Sequence, residues 1–286
     1  MTTIAAPSLT QHGLYILREN PVTAVAFGLF ALLVFFAVAG PWIAPYDPLL
    51  SNAARILEPP SLDHWFGTDQ LGRDVLSRVI VATRLDLGIA VTAVLLSCGV
   101  GAVLGCLAGF YGGWWDVLIG RLTDAIMAFP LFVLAMGIVA AAGNTVENIV
   151  YATAIINLPF YARVARAEAN VRRDSGFVEA ARVSGNSEFS LIARHLFPNL
   201  LPPLVVQLSL NMGWAILNAA GLSFIGLGVR PPTPEWGIMV AEGATYIVSG
   251  EWWLALFPGT ALMLAVFCFN LLGDGLRDLI DPSRRT

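Results

Sequence analysis

Six stretches without a charged residue organise this chain: residues 21–46, 87–115, 125–146, 148–162, 195–229 and 252–273. A helix needs about 20 mostly apolar residues to cross the hydrocarbon core. Five stretches meet that length; 148–162 does so only by borrowing Glu147 or Arg163 at its edges. Lipid cannot satisfy exposed backbone polar groups, so helices are the default spanning form. The pattern predicts an all-α membrane protein with six transmembrane helices. It divides into a tail (1–20), a first helix (21–46), an external loop with an interfacial helix (47–84), a five-helix domain (85–273) and a tail (274–286). Within the five-helix domain lies one polar loop, 163–198.

The first stretch holds Ala37-Val38-Ala39, which resembles a signal-peptide cleavage site. Signal cores run about 7–15 residues, and this apolar run is longer, so it reads as an uncleaved span. Cytoplasmic segments are enriched in arginine and lysine. With the amino terminus inside, eleven arginines fall inside (18, 121, six within 163–198, 277, 284 and 285). Five fall outside, at 55, 73, 78, 84 and 230. Both termini and the polar loop are therefore expected in the cytoplasm.

In the external segment, Val75, Leu76, Val79 and Ile80 share a helical face, with Arg73, Arg78 and Arg84 off it. An amphipathic helix at the membrane interface fits that pattern; so does a plain connector helix. In the second span Gly101, Gly105 and Gly109 recur every fourth residue. Small residues at that spacing let helix backbones approach closely, so they read as a packing seam.

Loop 163–198 carries six arginines and four acids between apolar spans. Phe177, Ala180, Ala181 and Ser184 share one face of a first short helix. Asp174 or Ser175 is placed to cap its start, and Glu179 suits the positive end of the helix dipole. Gly185 is the residue a helix end favours, because it accepts a left-handed conformation. Phe189, Ile192, Ala193 and Leu196 form an apolar face on a second helix. Helices this short are not stable alone in water. They dock on a partner or merely connect two spans; the residues by themselves leave both open.

Polar residues inside spans are expensive and usually face protein or water. Gln207, Asn211, Trp214 and Asn218 form one stripe along the fifth span, with Asn157 and Asn270 as weaker companions. The stripe reads as pathway lining or as interhelical hydrogen-bonding contacts. Neutral amides suit a polar passage for varied cargo more than a fixed ion site.

Composition agrees with a membrane protein: 57% of the 286 residues are hydrophobic, 13% are charged, and mean hydropathy is +0.71. Soluble domains carry about 25% charged residues. All sixteen basic residues are arginine. A phosphate-binding P-loop needs a lysine, so no such nucleotide site is expected here. Cys98, Cys106 and Cys268 lie in apolar runs, and His12, His64 and His195 are far apart; no metal site is expected.

Several motifs together resemble a known family. Glu179-Ala180-Ala181, Gly185 and Leu196-Phe197-Pro198 resemble the EAA loop of bacterial ABC importer permeases. Phe66-Gly-Thr-Asp-Gln-Leu-Gly-Arg-Asp74, Tyr111-Gly-Gly-Trp-Trp-Asp116, Phe224-Ile-Gly-Leu-Gly-Val229, Pro231-Pro-Thr-Pro-Glu-Trp-Gly237 and Asn270-Leu-Leu-Gly-Asp-Gly-Leu-Arg-Asp278 resemble its dipeptide, oligopeptide and nickel branch. The likeness runs from about residue 21 to 282 and is to the C-type permease subunit.

The resemblance implies a type I ABC importer permease fold and a subunit of the bacterial inner membrane without catalytic activity of its own. It implies a B-type permease partner in a heterodimer, two cytoplasmic ATPases that bind ATP and magnesium, and an extracytoplasmic substrate-binding protein. Loop 163–198 would be the coupling loop, with Phe177, Glu179, Ala180, Ala181, Arg182 and Gly185 at the ATPase. Di- or oligopeptides are the expected cargo; nickel, glutathione and opine-like branches share these motifs. No cofactor within this chain and no nucleic acid are expected. A secondary transporter would favour an acid inside a span, and a membrane enzyme would need a convergent catalytic cluster. Neither is visible in the sequence.

Overall fold

A computed structural model describes residues 21–280; the expected tail 1–20 and residues 281–286 lie outside it. Among the described residues regular structure is helical, apart from one isolated bridge between Thr68 and Asp74. The helices are α1 (Pro21–Ile43), α2 (Val75–Tyr111), α3 (Gly113–Met127), α4 (Leu131–Ala142), α5 (Val146–Arg172) and α6 (Gly176–Val183). They are followed by a long rod α7 (Glu188–Phe224), α8 (Trp236–Ala244) and α9 (Trp253–Ile280).

α1, α2, α7 and α9 are each long and apolar enough to cross a membrane. α3 and α4 make a fifth candidate if counted as one bent span. The expected third helix, 125–146, is therefore not straight. The chain turns by 88° between α3 and α4. Pro130 lacks the N–H that would carry the helix through and restricts the residue before it. α4 has 12 residues, about 18 Å of helix, too short to cross a core of about 30 Å.

The weakest stretch, 148–162, lies inside the 27-residue α5, which Thr145 caps by accepting a hydrogen bond from the Asn148 N–H. α5 runs ten residues past the charge boundary because Arg163 and Arg166 sit on an exposed face.

The expected interfacial helix is not separate. Asp74 caps α2, accepting from the Ser77 N–H, and the helix continues for 37 residues through the second span. Its first turns are buried: Val75, Ser77, Arg78, Val79 and Ala82 all lie inside the bundle. Arg73 and Arg78, expected on the polar side, are each only 1% exposed. They are buried because acids and carbonyls from other segments surround them, as described below.

The centre of the fold is the pairing of α2 with α5. A side chain at Gly101, Gly105 or Gly109 would strike the backbone carbonyls of Leu158, Ala162 and Arg166 in turn. The seam exists because those glycines let the two backbones touch. Around it pack Ala90, Val94, Ala102, Cys106, Tyr161, Ala165, Ala215, Ile216 and Phe269.

Candidate functional site

The polar hairpin hangs from the carboxyl-terminal end of α5. There Arg163 donates to Asp124 Oδ1 at 2.8 Å and Arg166 Nη2 to Asp116 Oδ2 at 2.7 Å, tying α5 to α3. All four side chains are partly solvent-exposed. Arg173 pairs with Asp174, and α5 ends one residue earlier.

α6 then folds back as two turns of helix. Ser175 stands at its N-cap position, but its hydroxyl donates to the Arg172 carbonyl at 2.6 Å and does not cap α6. Glu179 lies in the first turn and Arg182 in the last, each favourable to the helix dipole. The two side chains approach at 3.4 Å. Gly185 turns the chain at φ +83°, a conformation that costs glycine nothing. Asn186 closes the turn: its N–H and Nδ2 both donate to the Ala181 carbonyl, at 3.3 and 2.9 Å.

The second limb enters the membrane rod without interruption. α7 opens with an α turn (Glu188–Ser190), widens to a π segment (Leu191–Leu196), tightens to 3-10 (Phe197–Leu200) and proceeds as α-helix from Leu201. Pro198, Pro202 and Pro203 remove N–H donors here, so the regular ladder cannot form. The Asn199 side chain donates to the His195 carbonyl at 2.6 Å.

This geometry changes which residues face in. In α6 the buried face is Val178 and Ala181; Ala180, Ser184 and Phe177 are exposed. The expected shared face of Phe177, Ala180, Ala181 and Ser184 is thus divided, with Ala181 turned toward the second limb. In that limb Leu191 and Leu196 are buried, while Phe189 is 80% exposed and Ala193 is exposed. Residues five apart share a face in a π-helix, so the α-helical repeat assigned the wrong partner to Leu196. Val183, 89% exposed, and Phe177 and Phe189 leave apolar side chains open on the hairpin, where Glu179, Arg182 and Glu188 are exposed as well.

The four-residue stripe of α7 is likewise split. Trp214 is 65% exposed and Gln207 is partly open, whereas Asn211 and Asn218 are buried within the subunit. Gln207 Nε2 donates to Asn211 Oδ1 at 3.0 Å, and Asn218 Nδ2 to the Trp214 carbonyl at 2.9 Å. Both bonds run along α7 itself. Asn211 Nδ2 is left buried without a hydrogen-bond partner, beside Tyr161 of α5, and of the four only Gln207 and Trp214 offer side-chain surface.

At the other end of the bundle stands a network that hydropathy alone did not reveal. Arg73 Nε lies 2.6 Å from Asp69 Oδ2, Arg78 Nε 3.5 Å from the same oxygen, and Arg73 Nη2 3.8 Å from Glu242. Arg78 also donates to the carbonyls of Pro48 and Pro232, at 3.1 and 3.3 Å. His64 Nδ1 is 2.8 Å from Asp74, whose second oxygen accepts from the N–H and hydroxyl of Ser77. The Trp253 indole N–H reaches the Thr68 carbonyl at 3.2 Å, and Phe66 stacks on Phe257 at 3.9 Å. The segment from Phe66 to Arg78 is therefore a rigid plug, held to α8 and α9. A signal was present: Gly72 between Asp69 and Arg73 marks a turn, and the turn closed by the Thr68–Asp74 bridge brings the two charges together.

A helical bundle with several rods long and apolar enough to cross a membrane, one of them continuous with a polar hairpin, is the architecture of a multi-pass membrane protein. Residues 101–286 match the family described as binding-protein-dependent transport system inner membrane component, and residues 8–60 match the N-terminal TM domain of oligopeptide transport permease C. The chain belongs to that family of ABC importer permeases. It is 43% identical over 268 residues to the probable D,D-dipeptide transport system permease protein DdpC of Escherichia coli K12, covering 94% of this chain and 90% of that one. It is 39% identical over 270 residues to the dipeptide transport system permease protein DppC of Alkalihalophilus pseudofirmus (94% and 88%). Against the glutathione transport system permease protein GsiD of Escherichia coli O6:K15:H31 the figure is 43% over 266 residues (93% and 87%). Membership places the subunit in a membrane and implies ATPase and binding-protein partners.

Proposed function

We propose that this chain is the C-type subunit of a peptide importer, pairs with a B-type permease, and carries the coupling loop for one of two cytoplasmic ATPases. Phe177, Val183 and Phe189 leave apolar surface exposed on a hairpin that also carries Glu179, Arg182 and Glu188, chemistry suited to docking on a protein. Glu179, Ala180 and Arg182 are exposed there too, while Ala181 and Gly185 set the shape of the hairpin. The observation that carries the reading is the continuity of the second limb with α7 over 37 residues. A push on the hairpin tilts a membrane rod instead of bending a loop.

In this reading ATP binding closes the ATPase pair, the hairpins move together, and the pathway turns from inward- to outward-facing; hydrolysis resets it. Both termini and the hairpin lie in the cytoplasm, in keeping with eleven arginines against five. The chain lacks the lysine a P-loop requires, so ATP hydrolysis falls to the partner ATPases. Gln207 and Trp214 line the passage. Peptide cargo is supported by relatives named for dipeptide and D,D-dipeptide transport; the relative named for glutathione transport extends the range to other peptide-like molecules.

Two measurements test this. A cysteine at exposed Val183 should crosslink to a cysteine in the ATPase groove, in a yield that changes with ATP, whereas one at buried Ala181 should react poorly. Equal, ATP-independent crosslinking from both positions would argue against docking. Calorimetry on the cognate binding protein should show peptide binding; a preference for nickel would move the cargo to another branch.

A further inference from the structure

Asp86 on α2 and Glu235 at the start of α8 are buried together, 3% and 0% exposed. They are 149 positions apart in sequence, yet their carboxyl groups lie side by side: the N–H of Trp236, the residue after Glu235, donates to Asp86. The remaining contacts dictate which group is the donor. Both Glu235 oxygens accept helix-capping bonds, Oε1 from the Gly237 N–H at 2.9 Å and Oε2 from the Ile238 N–H at 2.8 Å. Asp86 Oδ2 accepts from the Trp236 N–H at 3.1 Å. Two carboxylates cannot hydrogen-bond each other unless one of them carries a proton.

We infer that Asp86 and Glu235 form a buried proton-binding site, in which a proton on the free oxygen of Asp86 donates to the Glu235 carboxylate. The site sits where three helices meet. Trp236 donates its indole N–H to the Val79 carbonyl of α2 at 3.0 Å. Ser223 of α7 lies beside Glu235. A side chain at Gly237 would strike the Ala220 backbone, so α8 is pressed against α7. The proton therefore fastens α8 to α2 beside the rod that the hairpin drives.

Nearby charges are already engaged. On α2, Arg78 pairs with Asp69 and Arg84 is exposed; on α8, Glu242 faces Arg73. α7 contributes only the Ser223 hydroxyl, and α9 carries charge only from Asp274 onward. Among the described residues no cation pairs with either carboxyl. Burial is the largest influence on Glu235 and lifts its carboxyl above the ordinary range. A value raised on folding means the stabilisation is complete below the unfolded carboxyl range near pH ~4. It is lost as pH rises through the folded value, when the pair holds two negative charges in a buried site.

The test uses the assembled transporter in detergent or nanodiscs, with infrared spectra and thermal unfolding followed from pH 5 to pH 9.5. Wild type should show a protonated-acid carbonyl band at neutral pH, and its unfolding temperature should fall as the band disappears. Asp86→Asn keeps both hydrogen bonds, because its amide nitrogen donates to Glu235 and its oxygen accepts from Trp236. That variant should lack the band, match wild type at neutral pH and lose the alkaline fall. A wild-type spectrum without the band, or an Asp86→Asn variant destabilised at neutral pH with its alkaline fall intact, would overturn the assignment. These readouts need no transport assay, so they stand or fall apart from the proposed cargo and coupling.

Discussion

The two ends of the bundle handle charge in opposite ways. At the hairpin, Arg163–Asp124, Arg166–Asp116 and Glu179–Arg182 are exposed or half-exposed pairs. At the far end Arg73, Arg78, Asp69, Asp86 and Glu235 are all buried. Exposed pairs contribute roughly 0.2–1 kcal/mol each. Breaking a buried one costs about 3–5 kcal/mol, because the surviving charge is stranded. The far end is thus built to hold its shape, and the hairpin end to be grasped. The proposed coupling role needs both, since a lever works only against a fixed point.

The contrast is tested most severely at Arg73. Replacing it with alanine removes the closer partner of Asp69 and leaves only Arg78 at 3.5 Å. The cost should approach about 3 kcal/mol, the lower end for a broken buried pair, read as a lower unfolding temperature or as loss of assembled complex. A cost under ~1 kcal/mol would mean the plug is not rigid in the way described. Next comes the seam between the ends. Gly105→Ala forces a methyl group into the Ala162 backbone, and overpacking of this kind costs roughly 1–3 kcal/mol. Unchanged unfolding in that variant would mean α2 and α5 are free to part. The smallest effect belongs to the hairpin end. Arg163→Ala should change stability by less than about 1 kcal/mol; a larger loss would erase the distinction between the two ends.

Hydropathy located the rods well, because a span must be apolar along its whole length, and α1, α2, α7 and α9 all fall within expected stretches or extend them. It misjudged places where local chemistry interrupts a period. Pro130 bends the third span, and the prolines around residue 198 convert the second limb to a π segment, so that Leu191 and not Phe189 packs inside. Arginine was read as a marker of exposure, which holds for Arg163 and fails for Arg73 and Arg78. Those two are buried by Asp69 at close spacing and by Glu242, Pro48 and Pro232 from distant segments. Sequence proximity exposes the first kind of partner and hides the second. The amide stripe is divided for a similar reason: periodicity placed Asn211 and Asn218 on one face with Gln207 and Trp214, but packing within the subunit covers the two asparagines and leaves the other two open. In the hairpin, the glycine turn at Gly185 was legible because few residues accept that backbone conformation.

The central claim is that the hairpin passes force from the ATPases into α7. It is tested most directly by ATP-dependent uptake in proteoliposomes holding the complete transporter with Glu179→Ala and Gly185→Pro combined. Proline fixes φ near −65° and cannot adopt the +83° found at Gly185, while Glu179 lies on the open docking side. The account predicts that the complex still assembles and its ATPases still bind ATP, but uptake falls to background. Uptake at the wild-type rate would contradict it.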